Sequence, residues 1–97
     1  MHMIENAIDG RRAAVHAART QAVFNPATGE EVARLPLSSV EDLNAAVAAA
    51  KKAALSWGTT PPMKRVRPLF KFKELLEKNA DEIARAISRE HGKTHAD

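Results

Sequence analysis

Five cations crowd into one short stretch of the chain: Lys64, Arg67 and Lys71 recur at helical spacing, with Arg65 and Lys73 beside them. Such a patch could hold phosphate or nucleic acid. Glu74 and Glu77 follow at once, however, and no aromatic residue shares that face to stack on bases, so a solvated helix surface is the reading the residues favour. His91 and His95 stand four apart, which is metal-ligand spacing on a continuous helix. Gly92 lies between them and only Asp97 is near enough to add a third ligand, so they read as surface histidines. Nucleophilic catalysis has no candidate. Ser38 and Ser39 suit helix capping, Thr59 and Thr60 suit a linker, and none has an oriented His base nearby. The chain has no Cys, hence no thiolate nucleophile, thiolate metal site or disulfide. No Gly-rich loop cradles a phosphate. The expectation is therefore no catalytic, cofactor-binding or metal site in these 97 residues.

The elements that would position any such group are modest. Apolar residues make up 44% of the sequence, but Ala supplies roughly two-fifths of them, and Leu, Ile, Val and Phe together only about a fifth of the chain. An autonomous core would be marginal. The formal charge of +3 is mildly basic, with acids and bases interleaved, which weakens a nucleic-acid reading. Glu5 and Asp9 interrupt the N-terminus and no long apolar run follows, so neither a secretory signal nor a membrane span is expected, and the default location is the cytoplasm.

Asp9-Gly10 suits a tight reversal, so Ile4 to Ile8 and Arg11 to Val15 read as a first hairpin. Ala13, Ala14, Ala17 and Ala18 would equally suit a short helix, and a frayed N-terminal arm is the remaining alternative. In Val23-Phe24-Asn25-Pro26-Ala27-Thr28-Gly29-Glu30 an apolar strand enters a turn: Pro26 fixes φ and Gly29 can take the positive φ that reverses direction. Glu31 to Leu35 returns as a strand stopped by Pro36. The pattern then becomes helical, with Ser38 or Ser39 capping and Glu41 or Asp42 closing a capping box. Leu43, Val47, Ala50, Ala54 and Trp57 form one stripe, Trp57 reads as a core residue, and Gly58 stops the helix. After Thr59-Thr60-Pro61-Pro62, a second helical region carries Leu69, Phe72, Leu76, Ile83 and Ile87 on its buried side, widened by Phe70 and Leu75. Pro68 implies either a start near Arg67 or a kink. Asn79 could cap a separate short helix, and Gly92 ends the region. The fold class is α+β, with N-terminal β-hairpins over about 4–36 followed by two or three helices, at about 39–57 and 62–91.

The order of these features resembles the N-terminal segment of the aldehyde dehydrogenase superfamily. Ile8-Asp9-Gly10 is similar to its opening strand and turn, Phe24 to Glu30 to its second hairpin, and Trp57 to the aromatic closing its first helix. Arg65 before Leu69 and Leu75-Leu76 fits the next helix, and Glu90-His91-Gly92-Lys93 its Glu-x-Gly-Lys helix terminus. Pro36 to Leu43, Leu69 to Leu76 and Gly92 to Asp97 most resemble the branch of CoA-acylating methylmalonate-semialdehyde dehydrogenases. Two departures stand out: Pro68 replaces a helix-compatible residue, and the run from Ala13 to Thr20 matches poorly.

The resemblance implies an α/β parent fold in which a Cys thiolate attacks an aldehyde, backbone and Asn donors hold the oxyanion, and hydride leaves to NAD. It implies acyl transfer to water or, in this branch, to CoA after decarboxylation. All those groups would lie beyond Asp97, so no functional residue carries over and the 97 residues alone should be inactive. What it assigns here is scaffold, with the rest of the dehydrogenase and neighbouring subunits of a homo-oligomer as partners. Thr94 to Asp97 would suit entry into a further helix. A substantial apolar patch along Leu69, Phe72, Leu76 and Ile83 should then be exposed or hidden by self-association. The rival reading is a small autonomous helical interaction module without catalysis. Nucleic-acid binding through Lys64 to Lys73 ranks last.

Overall fold

A two-residue turn opens the architecture, and its backbone angles explain the Asp-Gly pair. In the computed structural model, which describes residues 2–97, Asp9 and Gly10 take φ of 54° and 71°. Both central residues are left-handed, as the tightest hairpin turn demands. They join β2 (Asn6–Ile8) to β3 (Arg11–Ala13) as an antiparallel pair, with Ile8 opposite Arg11. The first hairpin expected from sequence is present, shorter than its expected span.

The second sheet has three strands in the order β1-β5-β4. Strand β1 (His2–Met3) runs parallel to β5 (Glu31–Pro36), which pairs antiparallel with β4 (Thr20–Phe24). Val23 faces Ala33 and Phe24 faces Glu31, so Val32 is the extra residue of a bulge. Pro36 ends the strand, as expected. It is the last residue of β5, buried and opposite Thr20, and its missing N–H costs nothing at a strand end. As the central strand, β5 holds the buried Ala33, which is 2% exposed.

Helix α1 (Val40–Trp57) begins at Ser39 with a complete capping box. Gly58 does not take the left-handed angle of a usual glycine stop. Its φ is −63°, and a Cβ there would meet the Ala54 carbonyl oxygen at 2.6 Å. The helix is finished instead by the Thr59 hydroxyl donating to the Ser56 carbonyl (3.0 Å) and the Thr60 hydroxyl to the same oxygen (2.8 Å).

The region from 62 to 91 is two helices, α2 (Pro62–Lys78) and α3 (Ala80–His91). Pro62 opens α2 where its lack of a donor is harmless, whereas Pro68 lies inside. The helix neither starts near Arg67 nor ends at Pro68. One lost bond in the second turn is outweighed by the regular turns on both sides. Asn79 separates the two helices, but its side chain does not cap the second. Its Nδ2 donates to the Leu75 carbonyl at 2.8 Å and so closes the end of α2.

Among the described residues, little covers these elements beyond the first hairpin lying against α1. The chain extends 48 × 38 × 15 Å, and the short dimension is little more than one helix diameter. Its radius of gyration is 17.2 Å, against about 12.5 Å for a compact domain of this length. Trp57, read from sequence as a core residue, therefore keeps 48% of its surface, and the stripe from Leu69 to Ile87 is exposed. No helix is long and apolar enough to cross a membrane among the described residues.

Candidate functional site

The hairpin turn at Asn25–Glu30 and the end of α3 lie far apart in sequence and meet in space. Asn25 organises the turn: its Oδ1 accepts from Ala27 N–H (2.9 Å), its carbonyl accepts from Gly29 N–H (2.7 Å), and its own N–H donates to the Glu30 carbonyl (2.9 Å). These bonds fix Pro26 at the tip. Gly92 ends α3 with φ of 85° and donates to the Ser88 carbonyl at 3.0 Å. A Cβ on Gly92 would stand 3.1 Å from Pro26 Cγ. Gly92 thus meets two demands, a left-handed backbone and a close neighbour. Sequence reading found the first, whereas the second required the fold.

A second junction ties the first hairpin to α1. Asp42 Oδ2 accepts from Ser39 N–H (2.8 Å) and Ser39 Oγ accepts from Asp42 N–H (3.2 Å), which selects Ser39 and Asp42 from the two pairs the sequence allowed. The two hydrogen bonds from Ser39, backbone first and hydroxyl second, hold the Asp42 carboxyl below its ordinary value of 3.8. Asn6 Nδ2 of β2 donates to Ser38 Oγ at 3.1 Å, so Ser38 anchors the hairpin rather than capping the helix. On β5, Arg34 Nε donates to Glu31 Oε1 at 2.7 Å and its Nη1 to Thr20 Oγ1 at 3.0 Å, bracing the sheet.

The basic stretch is not gathered for an anion. Lys71 pairs with Glu74 (3.4 Å) and Lys73 with Glu77 (2.7 Å), all exposed, in the way of a solvated helix face. His91 and His95 are separated by the left-handed Gly92. His95 turns back so that its Nε2 lies 3.5 Å from Asp81 Oδ1 in the first turn of α3. No cluster of three metal-ligating side chains occurs among the described residues. Thr94 to Asp97 forms a turn, Asp97 N–H donating to the Thr94 carbonyl at 3.2 Å. This segment and α3 bound an open cleft of about 450 Å³, lined by Leu76, Ile83 and Ile87.

What remains is an apolar surface without cover. Leu69 is 60% and Phe72 57% exposed, and Leu76 and Ile83 are exposed beside them. This is the patch expected from the sequence. Phe70 does not widen it: two residues along a helix is a rotation of about 200°, so Phe70 projects away from Phe72. Trp57, Pro62, Arg65, Val66 and Leu69 line a shallow cleft between the first two helices, in which Arg65 Nε is shut off from solvent without a hydrogen-bond partner among the described residues. The surface has no reactive group. Its chemistry is to be buried.

The aldehyde dehydrogenase family model matches residues 14–97. Malonate-semialdehyde dehydrogenase of Halalkalibacterium halodurans is 45% identical over 92 residues, covering 95% of this chain and 19% of that protein. The Pseudomonas aeruginosa protein of the same name is 47% identical over 79 residues, covering 81% of this chain and 16% of that protein. A Sinorhizobium meliloti structure described as methylmalonate-semialdehyde dehydrogenase complexed with NAD superposes with a TM-score of 0.95 at 45% identity, over 99% of this chain and 20% of that one. Methylmalonate-semialdehyde dehydrogenase from Oceanimonas doudoroffii gives 0.94 at 47% identity, with the same coverage. The chain spans about a fifth of the length of the relatives it matches.

Proposed function

This chain belongs to the aldehyde dehydrogenase family, and on that premise we propose that it is the N-terminal scaffold of an NAD-dependent, CoA-acylating methylmalonate-semialdehyde dehydrogenase. The observation that carries the reading is the superposition of nearly the whole chain, at TM-score 0.95, on one-fifth of such an enzyme. A layer 15 Å thick with its large apolar residues exposed has the form of a part that other residues cover. In this reading residues 2–36 supply bracing strands, α1 to α3 flank the coenzyme domain, and the reactive sulfur belongs to the remaining four-fifths.

The helix N-termini of this chain do not fit a dinucleotide. That of α1 is filled by the Asp42 carboxylate, that of α2 begins with two prolines lacking N–H donors, and that of α3 carries Asp81 and Glu82. A pyrophosphate wants free donors and no fixed anion at such an end. In this reading NAD binding falls to other residues. The preference for CoA over water rests on the resemblance of Pro36 to Leu43, Leu69 to Leu76 and Gly92 to Asp97 to the acylating branch. A cytoplasmic, oligomeric parent enzyme completes the proposal.

The test is a chimera in which this chain replaces the matching fifth of the Oceanimonas doudoroffii relative. It should reduce NAD with methylmalonate semialdehyde, faster when CoA is present. A folded chimera that oxidises no aldehyde would refute the scaffold reading, and indifference to CoA would refute the acylating branch.

A further inference from the structure

We draw no further inference here: the strongest candidate, the shallow cleft between α1 and α2 where Arg65 Nε is shut off from solvent without a hydrogen-bond partner among the described residues, shares Leu69 with the apolar stripe already described, and nothing in the structure shows what covers either.

Discussion

Replacing Gly92 by Ala probes the junction on which the relative placement of hairpin and helix depends. At φ of 85° an L-residue suffers the left-handed penalty of about 1–2 kcal/mol. The added Cβ meets Pro26 Cγ at 3.1 Å, tight enough that the ring must give by a few tenths of an ångström. Ring repuckering makes this second effect the smaller one. The expected loss is therefore about 1–2 kcal/mol, a roughly 5- to 30-fold fall in the folded-to-unfolded ratio. Urea titration in the cold, followed by far-ultraviolet circular dichroism, reads it as a lower midpoint. Gly92→Asn separates the causes, because Asn tolerates the left-handed region but still brings a Cβ to Pro26. It should lose less than Ala. In a Pro26→Ala background the Gly92→Ala loss should shrink by only a few tenths of a kcal/mol. An unchanged midpoint for Gly92→Ala, or an Asn variant as damaged as Ala, would refute the reasoning.

Two further substitutions test the helices. Ser39→Ala removes both hydroxyl bonds of the cap and should cost α1 about 0.5–2 kcal/mol of stability, measured by hydrogen exchange across Val40–Ala50. Because the folded Asp42 carboxyl titrates below its ordinary value of 3.8, its contribution is complete above that value and is lost as pH falls through the lower, folded one. Carboxyl titration by NMR should show that Ser39→Ala brings Asp42 back toward 3.8, and an unmoved titration would count against the capping box. Pro68→Ala restores a donor inside α2 and removes the ring, so α2 should gain up to about 3 kcal/mol. Protection of the amides from Arg67 to Phe72 reads this, and no gain would mean that the helix had already accommodated the ring.

The parts of this fold legible from sequence were those fixed by local backbone chemistry. Asp9-Gly10 took its positive angles, Asn25 to Gly29 its turn, and Gly92 its left-handed stop. The capping box narrowed to Ser39 and Asp42 only when Asn6 was seen to occupy Ser38. Gly58 closes α1 as expected, through a right-handed backbone rather than a left-handed one. Strand β1 is two residues paired in parallel with a partner about thirty positions away, and so short a strand leaves no alternation to read. Periodicity showed which residues of α2 and α3 need cover but not what supplies it. Leu69, Phe72, Leu76 and Ile83 accordingly stand exposed, as expected of a stripe whose cover lies in other residues.

The most direct trial of the scaffold account is the purified 97-residue chain incubated with NAD, CoA and methylmalonate semialdehyde, with NADH followed by absorbance. It should form none, while the chimera containing the same residues does. NADH produced by the isolated chain, with no thiol in its sequence to form the acyl intermediate, would contradict the account.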